Sequence, residues 1–208
     1  MKDEGGRKHK LHNSIKAHEL AFDIDGVVAD TMAVFVRLAR ERRGLTDLTK
    51  DHLRHYDLHQ CLDVDRDIVD DLICMTLDDE NTRTIPPVPG AIEVLTELSR
   101  QAPLRFVTAR IWPESIIHWL QDTLANVPKD RIHVIATGAP EAKLKILQGL
   151  NIKYFVEDRL ETCRILAHEG LRPLLFDQPW NRAPEASEFT RVESWPQLGQ
   201  MILPQEGN

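Results

Sequence analysis

The residues of this sequence best suited to chemistry are polar side chains that follow apolar runs or begin helices. In chain order they are Asp23, Asp25, Thr108, Lys143, Glu157 and Asp158. Two unit charges about 4 Å apart repel each other by about 4 kcal/mol at an effective dielectric constant near 20, so carboxylates brought together need a cation. Lys143 supplies one charge, and Mg²⁺ is the natural divalent ion for oxygen ligands. Carboxylate-bound Mg²⁺ with open coordination positions handles phosphate groups.

The elements that must position these residues follow from an alternation of apolar runs and helical periods. The runs cover residues 20–24, 104–109, 132–136, 152–158 and 172–177. The helical periods comprise Val28/Met32/Phe35/Val36/Ala39, Ile92/Leu95/Leu98, Ile116/Ile117/Leu120/Leu124 and Leu144/Leu147/Leu150. This pattern predicts an α/β fold, with a Rossmann-like parallel sheet flanked by helices. In such sheets the functional residues lie at the carboxyl ends of the strands.

Single prolines and glycines predict where several helices begin and end. Pro89, Pro113 and Pro140 suit the first turn of a helix, where the missing N–H is tolerated. Gly149 and Gly170 occur where two helical periods stop, as expected of residues at helix C-termini.

Residues 45–85 interrupt the alternation and contain no convincing strand. Short helical patterns such as Ile68/Val69/Leu72/Ile73 and the stiff Pro86-Pro87-Val88-Pro89 stretch predict a small helical cap inserted after the first strand–helix unit. Residues 19–44 and 86–208 then form the core. Residues 1–18 are polar and predict a flexible tail. Its histidines, His9, His12 and His18, are more typical of a solvated tail than of a metal site.

The charge distribution excludes some classes of protein. The net charge of −7 argues against a partner that is a nucleic acid polymer. Residues 1–18 hold five basic residues against two acidic ones, whereas residues 47–80 hold eleven acidic residues against three basic ones. We expect the acids of residues 47–80 to face solvent on the cap, with Mg²⁺, Lys143 and Arg110 easing the entry of an anionic substrate.

Cysteine content and hydropathy indicate a cytoplasmic protein. Three cysteines without a CxxC pair exclude a disulfide framework and a cysteine zinc site. No signal peptide is recognisable, and no apolar stretch approaches the roughly 20 residues of a membrane span, so no membrane partner is expected. Glycine-rich dinucleotide and P-loop patterns are absent.

The segments DIDGVVADT, VTAR, an isolated Lys143 and VEDR, in this order, resemble the four motifs of the haloacid dehalogenase (HAD) superfamily. The match spans residues 20–177 and is in register with the predicted strands. Each piece alone is weak, because a strand-end Asp often caps a helix and a lone Lys is usually solvated. The ordered set of four is a strong signal.

The resemblance implies a role for each matching residue. Asp23 would attack phosphorus and form an aspartyl-phosphate, and Asp25 would protonate the leaving oxygen and then deprotonate water. Thr108 and Lys143 would hold the phosphoryl oxygens. Asp23, Asp25 (through its carbonyl), Glu157 and Asp158 would surround Mg²⁺, and which acid of the Glu157-Asp158 pair binds the metal directly stays open. Gly26, Ala109 and Arg110 would contact the small phosphorylated substrate.

A narrower resemblance concerns the substrate. VPGAIEVLTELS, FVTAR, YFVEDRLETC and LLFDQPWNR resemble the 5′-nucleotidase/5′(3′)-deoxyribonucleotidase-like group, which implies a nucleoside monophosphate. Aromatic residues that could stack on a base are scarce, with Tyr56 in the cap and Phe35 in the first helix. The alternatives are a phosphatase for a phosphosugar or other small ester, and a non-catalytic binding protein. Asp25 favours phosphoester hydrolysis over dehalogenation, since a halide leaving group needs no proton.

Other residues have competing interpretations. Trp180 could line the site, although a buried core position is favoured. For Trp112, substrate contact and core packing are equally favoured. For Arg110, a phosphate contact and a surface ion pair are equally favoured. His52, His55 and His59 share one face of a possible helix, where an exposed polar face is favoured over a metal site. Asp63 begins an EF-hand-like pattern that lacks the required Gly and Glu.

Overall fold

The computed structural model describes residues 15–203, in which six strands form one sheet. The strands are β1 (Leu20–Phe22), β2 (Leu104–Thr108), β3 (Ile132–Ala136), β4 (Tyr154–Glu157), β5 (Arg172–Phe176) and β6 (Thr190–Val192). Their order is β3-β2-β1-β4-β5-β6, and all neighbouring strands are parallel. The predicted α/β fold and its five strands are confirmed. The strand β6 was not predicted, because three residues of which only Val192 is buried carry no readable period.

Helices cover both faces of the sheet. They are α1 (Thr31–Arg43), α2 (Arg66–Thr76), α3 (Asp79–Thr82), α4 (Ala91–Ser99), α5 (Glu114–Thr123), α6 (Lys143–Gly149), α7 (Leu160–His168) and α8 (Trp195–Ile202). The predicted helices are present with shifted ends. Val28 lies before α1, because residues 24–29 form tight turns in which Val28 N–H donates to the Ile24 carbonyl. Leu124 and Leu150 each follow their helix, and Gly149 ends α6 as predicted.

Successive residues of each strand contribute in turn to two apolar layers, one on each face of the sheet. Phe22 packs with Phe106 and Trp195, at ring-centroid distances of 5.8 and 5.5 Å. The adjacent Ala21 points to the opposite face and belongs to a cluster with Val107 and other residues of the second layer. This period of two follows from the pleat of a strand and fixes which side chains of each strand end are available to a site.

Residues 45–85, the cap segment, contain α2, α3 and two short 3₁₀ turns, Lys50–His52 and Leu58–Gln60. Within this segment no residue is assigned to a strand. Its buried Leu53, Val69 and Leu72 belong to the same apolar cluster as the residues under the sheet. All eleven acidic residues at 47–80 are exposed, which confirms that they face solvent. The boundaries of the cap as a domain stay a prediction.

Residues 15–18, which the sequence assigns to the tail, belong to the described structure. Ile15 is buried, residues Ala17–Glu19 form a 3₁₀ turn, and Arg105 donates to the His18 carbonyl at 2.8 Å. Residues 1–14, with His9 and His12, lie outside the described residues. In the described region, no helix is both long enough and apolar enough to span a membrane.

Candidate active site

Three neighbouring strands bring the predicted polar residues to one edge of the sheet. Phe22 of β1 is paired with Phe106 of β2 and with Val156 of β4, so the carboxyl ends of the three strands lie side by side. The backbone N–H of Asp23 donates to the Val156 carbonyl at 2.9 Å, which extends this pairing by one residue. Asp23 therefore lies in the middle of the edge, between the ends of β2 and β4.

The turn after β1 depends on Gly26. Its φ of +76° lies in the left-handed region, which glycine adopts without strain. A Cβ at this position would overlap the Asp158 carboxylate, with its Cγ at 2.8 Å, and would lie 3.2 Å from Cζ2 of Trp180. The Gln178 side chain donates to the Gly26 carbonyl at 2.6 Å. Both the turn and the space beside Asp158 therefore require a residue without a side chain.

We expect Gly26→Ala to lower kcat/KM for the phosphate ester hydrolysis that the sequence resemblance implies by roughly 100-fold, because a misplacement of about 1 Å in a reacting group has that effect. The added methyl group forces the Asp158 carboxylate to move. Steady-state kinetics measure the loss, and Gly138→Ala is the matched control. Gly138 also has a positive φ, of 72°, but a Cβ there meets nothing within 4 Å. Equal activity losses in the two variants would contradict the steric argument.

Lys143 is the central cation of the edge. It is the first residue of α6, is only 2% exposed, and its Nζ lies 2.8 Å from Oδ2 of Asp23 and 2.9 Å from Oε2 of Glu157. Burial lowers the pKa of this ammonium, but the two carboxylates outweigh burial and hold the pKa above its usual range. Lys143 is thus charged and fixes two of the carboxylates.

Asp23, Glu157 and Asp158 each offer an oxygen to a common point, and these oxygens lie within 4.8 Å of one another. All three side chains are buried. Burial raises the pKa of Asp158 well above its ordinary value, and the neighbouring Glu157 and Asp23 carboxylates raise it further. Burial and the Glu157 charge also raise the pKa of Asp23, against the opposing effect of Lys143. One ammonium does not balance three carboxylates, so this donor set fits a divalent metal ion with a preference for oxygen.

The loop after β5 supports Asp158 from the other side. Nε1 of Trp180 donates to Oδ2 of Asp158 at 2.9 Å, and Nδ2 of Asn181 donates to the Asp158 carbonyl at 2.8 Å. Trp180 is partly buried, packs against the main apolar cluster and also lines the cavity, so each of the two interpretations holds in part. The sequence signal was its QPWN context directly after a strand end, where functional residues are expected.

Asp25 is held by two donors that differ in chemistry. Arg110 binds both of its oxygens, with Nη2 2.8 Å from Oδ1 and Nε 2.9 Å from Oδ2, and the Thr31 hydroxyl donates to Oδ1 at 2.6 Å. Burial raises the pKa of Asp25, but Arg110 and Thr31 outweigh it and the net pKa lies below the ordinary value. Arg110 is 8% exposed and its ion pair with Asp25 is partly buried, so Arg110 forms an ion pair, as one of the two alternatives had it, but not at the surface. Thr31 was not predicted to be a site residue, because its position in the sequence indicates only the start of a helix.

Thr108 lies at the end of β2 with its side chain fully buried. Its Oγ1 accepts the backbone N–H of Arg110 at 3.2 Å, and its carbonyl accepts from Thr137 N–H at 2.9 Å. The hydroxyl hydrogen retains the capacity to donate to a further group. The following residue, Ala109, lines the cavity next to Gly26 and Arg110.

A cavity of about 310 Å³ opens over these residues. The carboxylates form its floor, and apolar residues of the cap segment and α1 form its walls, namely Met32, Leu58, Ile73 and Leu77. Tyr56 of the cap segment also lines it and lies against the Arg159 guanidinium at 5.0 Å from the ring centroid. This volume suits a small molecule with an anionic end and an apolar end.

Several alternatives are resolved by position. Phe35 is fully buried in the core and is unavailable for stacking on a substrate. Trp112 is 78% exposed, which rules out core packing, and it is not among the cavity-lining residues. His52 and His59 lie in separate 3₁₀ turns and share no helix face. Asp65 caps α2 through the Asp67 N–H, as expected of a helical surface.

A parallel sheet of this order, with carboxylates after β1 and β4, a hydroxyl at the end of β2 and a lysine at the start of α6, defines a hydrolase of the HAD class. The fold agrees with solved structures. A haloacid dehalogenase-like hydrolase of Streptococcus pneumoniae has a TM-score of 0.57 at 14% identity, covering 86% of this chain and 95% of that chain. A HAD-superfamily hydrolase of Geobacter sulfurreducens has a TM-score of 0.55 at 16% identity, covering 88% and 95%.

The chain belongs to the family described as 5′ nucleotidase, deoxy (pyrimidine), cytosolic type C protein, which matches residues 17–206. It is accordingly a phosphoric monoester hydrolase. A nucleotidase of Clostridium acetobutylicum is 28% identical over 105 residues, so that match spans about half of either chain, 50% of this one and 53% of the other. A protein of Oceanobacillus iheyensis named a putative nucleotidase is 24% identical over 182 residues, or 85% of this chain and 95% of the other.

Proposed function

We propose that this chain is a cytoplasmic, Mg²⁺-dependent phosphomonoesterase that hydrolyses a nucleoside or deoxynucleoside monophosphate through an aspartyl-phosphate. The observation that carries the proposal is the placement of Asp23, which is 2.8 Å from Lys143 and borders a cavity that Asp25 also lines. A nucleophile, a fixed cation and a second acid thus meet in one small-molecule cavity. A protein that only binds ligands has no use for that second acid.

In the first half of the reaction, an Asp23 oxygen forms a bond to phosphorus while the bond from phosphorus to the ester oxygen breaks. Asp25 gives its proton to that leaving oxygen, which departs as the alcohol. The incoming ester carries negative charge next to Asp25, which favours the protonated form needed here. Lys143 and the Thr108 hydroxyl stabilise charge on the transferring phosphoryl oxygens.

In the second half, the ionised Asp25 removes a proton from water as the water oxygen attacks phosphorus. The bond from phosphorus to Asp23 breaks, inorganic phosphate leaves, and both carboxyl groups return to their starting forms. The Arg110 and Thr31 donors favour the carboxylate of Asp25, which is the form that this half requires. Walls of apolar side chains limit the access of further water.

The metal would be held by Asp23 and Asp158, with Glu157 beside them, and the Asp25 carbonyl is a further candidate ligand. When bound, Mg²⁺ supplies positive charge that offsets the carboxylates and the phosphate together. The donor set supports this assignment, since carboxylate oxygens are the ligands that Mg²⁺ prefers. Glu157 already contacts Lys143 and the N–H groups of Asp158 and Arg159, so we assign direct coordination to Asp158 and a supporting position to Glu157.

The choice of a nucleotide rests on the family description and on the cavity walls. Tyr56 and Trp180 offer two aromatic rings to a planar group, and the apolar side chains of the cap segment suit a base and deoxyribose better than a sugar with many hydroxyl groups. A phosphosugar or another small phosphate ester is the alternative substrate.

The test is phosphate release across a panel of 5′- and 3′-nucleoside monophosphates, deoxynucleoside monophosphates, phosphosugars and an aryl phosphate. Each is assayed with Mg²⁺ and after chelation of divalent ions. We expect release only with Mg²⁺ and the highest kcat/KM for a nucleotide. A preference for phosphosugars would replace the substrate assignment. No release from any ester would favour a non-catalytic binding protein, and release unaffected by chelation would contradict the metal requirement.

A further inference from the structure

Arg110 forms hydrogen bonds with both Asp25 and the far end of the cap segment. Two of its nitrogen atoms bind the Asp25 carboxylate, and the third, Nη1, donates to Oγ1 of Thr82 at 2.8 Å. Thr82 ends α3 and is fully buried. A guanidinium is rigid and planar, so the position of one hydrogen-bond partner constrains the position of the other.

The Thr82 end of the cap segment is itself fixed to the core. Nε1 of Trp119 in α5 donates to the Ile85 carbonyl at 2.8 Å, and the Asp30 N–H donates to the Pro86 carbonyl at 2.9 Å. Thr82 thus stands at a place determined by the packing of α3 on α5. Through Arg110, that packing determines where the Asp25 carboxylate lies.

The hydrogen bonds around Asp25 also select one of its oxygens. Oδ1 accepts from both Thr31 and Arg110, whereas Oδ2 accepts only from Nε of Arg110. A carboxylate oxygen has about two positions at which it can accept a hydrogen bond. Both positions of Oδ1 are therefore used, whereas Oδ2 has one unused position. Oδ2 is therefore the atom with room for the transferable proton.

We propose that Arg110 is a positioning residue that, braced by Thr82 of the cap segment, directs Oδ2 of Asp25 toward the leaving oxygen of the substrate. This inference rests on the proposed function, since it assumes that Asp25 transfers the proton. In this arrangement the contribution of Arg110 passes through Asp25 and not through a direct contact with phosphate. A cap segment displaced from α5 would leave Asp25 poorly aimed.

The test compares two esters with each variant. Proton donation matters for an alkyl phosphate, whose leaving alcohol is a weak acid, and matters little for p-nitrophenyl phosphate, whose phenol leaves without a proton. For Arg110→Lys, which keeps the charge but loses the fork, we expect kcat/KM, which reports the steps up to loss of the leaving alcohol, to fall roughly 10- to 100-fold more for the alkyl ester than for the aryl ester, within the range of general acid catalysis. Hydrolysis of the aspartyl-phosphate is common to both esters and does not enter this ratio.

Thr82→Val removes the brace without changing the shape of the side chain, and Thr82→Ser keeps the hydroxyl. We expect Thr82→Val to change the alkyl-to-aryl ratio in the same direction as Arg110→Lys, by roughly 3- to 10-fold, and Thr82→Ser to leave it unchanged. Arg105→Lys is the matched control, because Arg105 lies in β2, the strand that precedes Arg110, and binds the surface carbonyl of His18. Melting temperatures of all variants confirm that each is folded.

The double variant Asp25→Asn/Arg110→Lys separates positioning from direct substrate contact. If Arg110 acts through Asp25, the double variant is no slower than Asp25→Asn alone. Additive losses, or equal losses of kcat/KM for the two esters, would overturn the inference in favour of a phosphate contact. Asp25→Asn itself tests the proposed function. If it shows no dependence on the leaving group, the role of Asp25 fails together with the inference, whereas dependence in Asp25→Asn without dependence in Arg110→Lys overturns only the inference.

Discussion

Asp23→Asn is expected to reduce phosphate release by roughly four orders of magnitude or more with every substrate, including esters with good leaving groups. An amide oxygen is a poor nucleophile toward phosphorus, and the substitution leaves no other acid in the central position between β2 and β4. Because Asp23 forms the first covalent bond in the proposed reaction, a better leaving group does not rescue its loss. This pattern is opposite to the one expected for Asp25→Asn.

The fold of the Asp23→Asn variant should persist. Asn has nearly the same shape, Lys143 keeps Glu157 at 2.9 Å, and one of three mutually repelling carboxylates is removed. We therefore expect a melting temperature close to that of the parent protein, measured by circular dichroism in the absence of metal. Asp122→Asn, on the exposed surface of α5, is the matched control. Phosphate release by Asp23→Asn at the parent rate would contradict the mechanism.

Lys143→Met is expected to affect both stability and activity. The substitution leaves Asp23 and Glu157 buried without their shared cation, and breaking a buried ion pair in this way lowers the free energy of unfolding by about 3 to 5 kcal/mol. Denaturant titration of the metal-free protein measures the loss. Added Mg²⁺ should recover part of it, because a cation bound to the same carboxylates replaces some of the missing charge.

Activity of Lys143→Met should fall roughly a thousandfold at saturating Mg²⁺, since the fixed charge beside the transferring phosphoryl group is lost. Lys145→Met is the control, because Lys145 lies two residues further along α6 with its side chain exposed. Equal stability of the two variants would show that Lys143 does not balance the buried carboxylates. Full activity in Lys143→Met would remove it from the proposed mechanism.

The strand-end residues could be found from sequence because their positions follow from the geometry of a parallel sheet. Asp23, Thr108 and Glu157 each end or follow an apolar run, and parallel strands put such positions on one edge. Contacts that depend on loops or on the cap segment could not be predicted from the sequence. Thr82 meets Arg110 across 28 positions of sequence, and Trp180 meets Asp158 through an irregular turn.

Two expectations failed for a related reason, namely that Phe35 could stack on a substrate and that an ion pair of Arg110 would lie at the surface. A helical period identifies Phe35 as part of α1 but does not show how deeply that helix is covered, and the ring is fully buried. Arg110 follows the motif threonine in a loop, where an arginine is commonly solvated, yet a carboxylate and a hydroxyl enclose it. Burial of a charged side chain depends on partners that are distant in sequence, and periodicity records only neighbours.

The apolar residues of the cap segment share one cluster with those under the sheet, Leu53, Val69 and Leu72 among them. Residues of the cavity wall and residues beneath the sheet therefore belong to one continuous apolar cluster. Substitutions that reshape the cavity wall, such as those at Met32 or Ile73, act at the border of that cluster. Substitutions that change substrate preference in this way also change the folding stability that keeps the buried charges in place. Fewer such substitutions are therefore tolerated, and fewer substrate specificities are accessible to this fold.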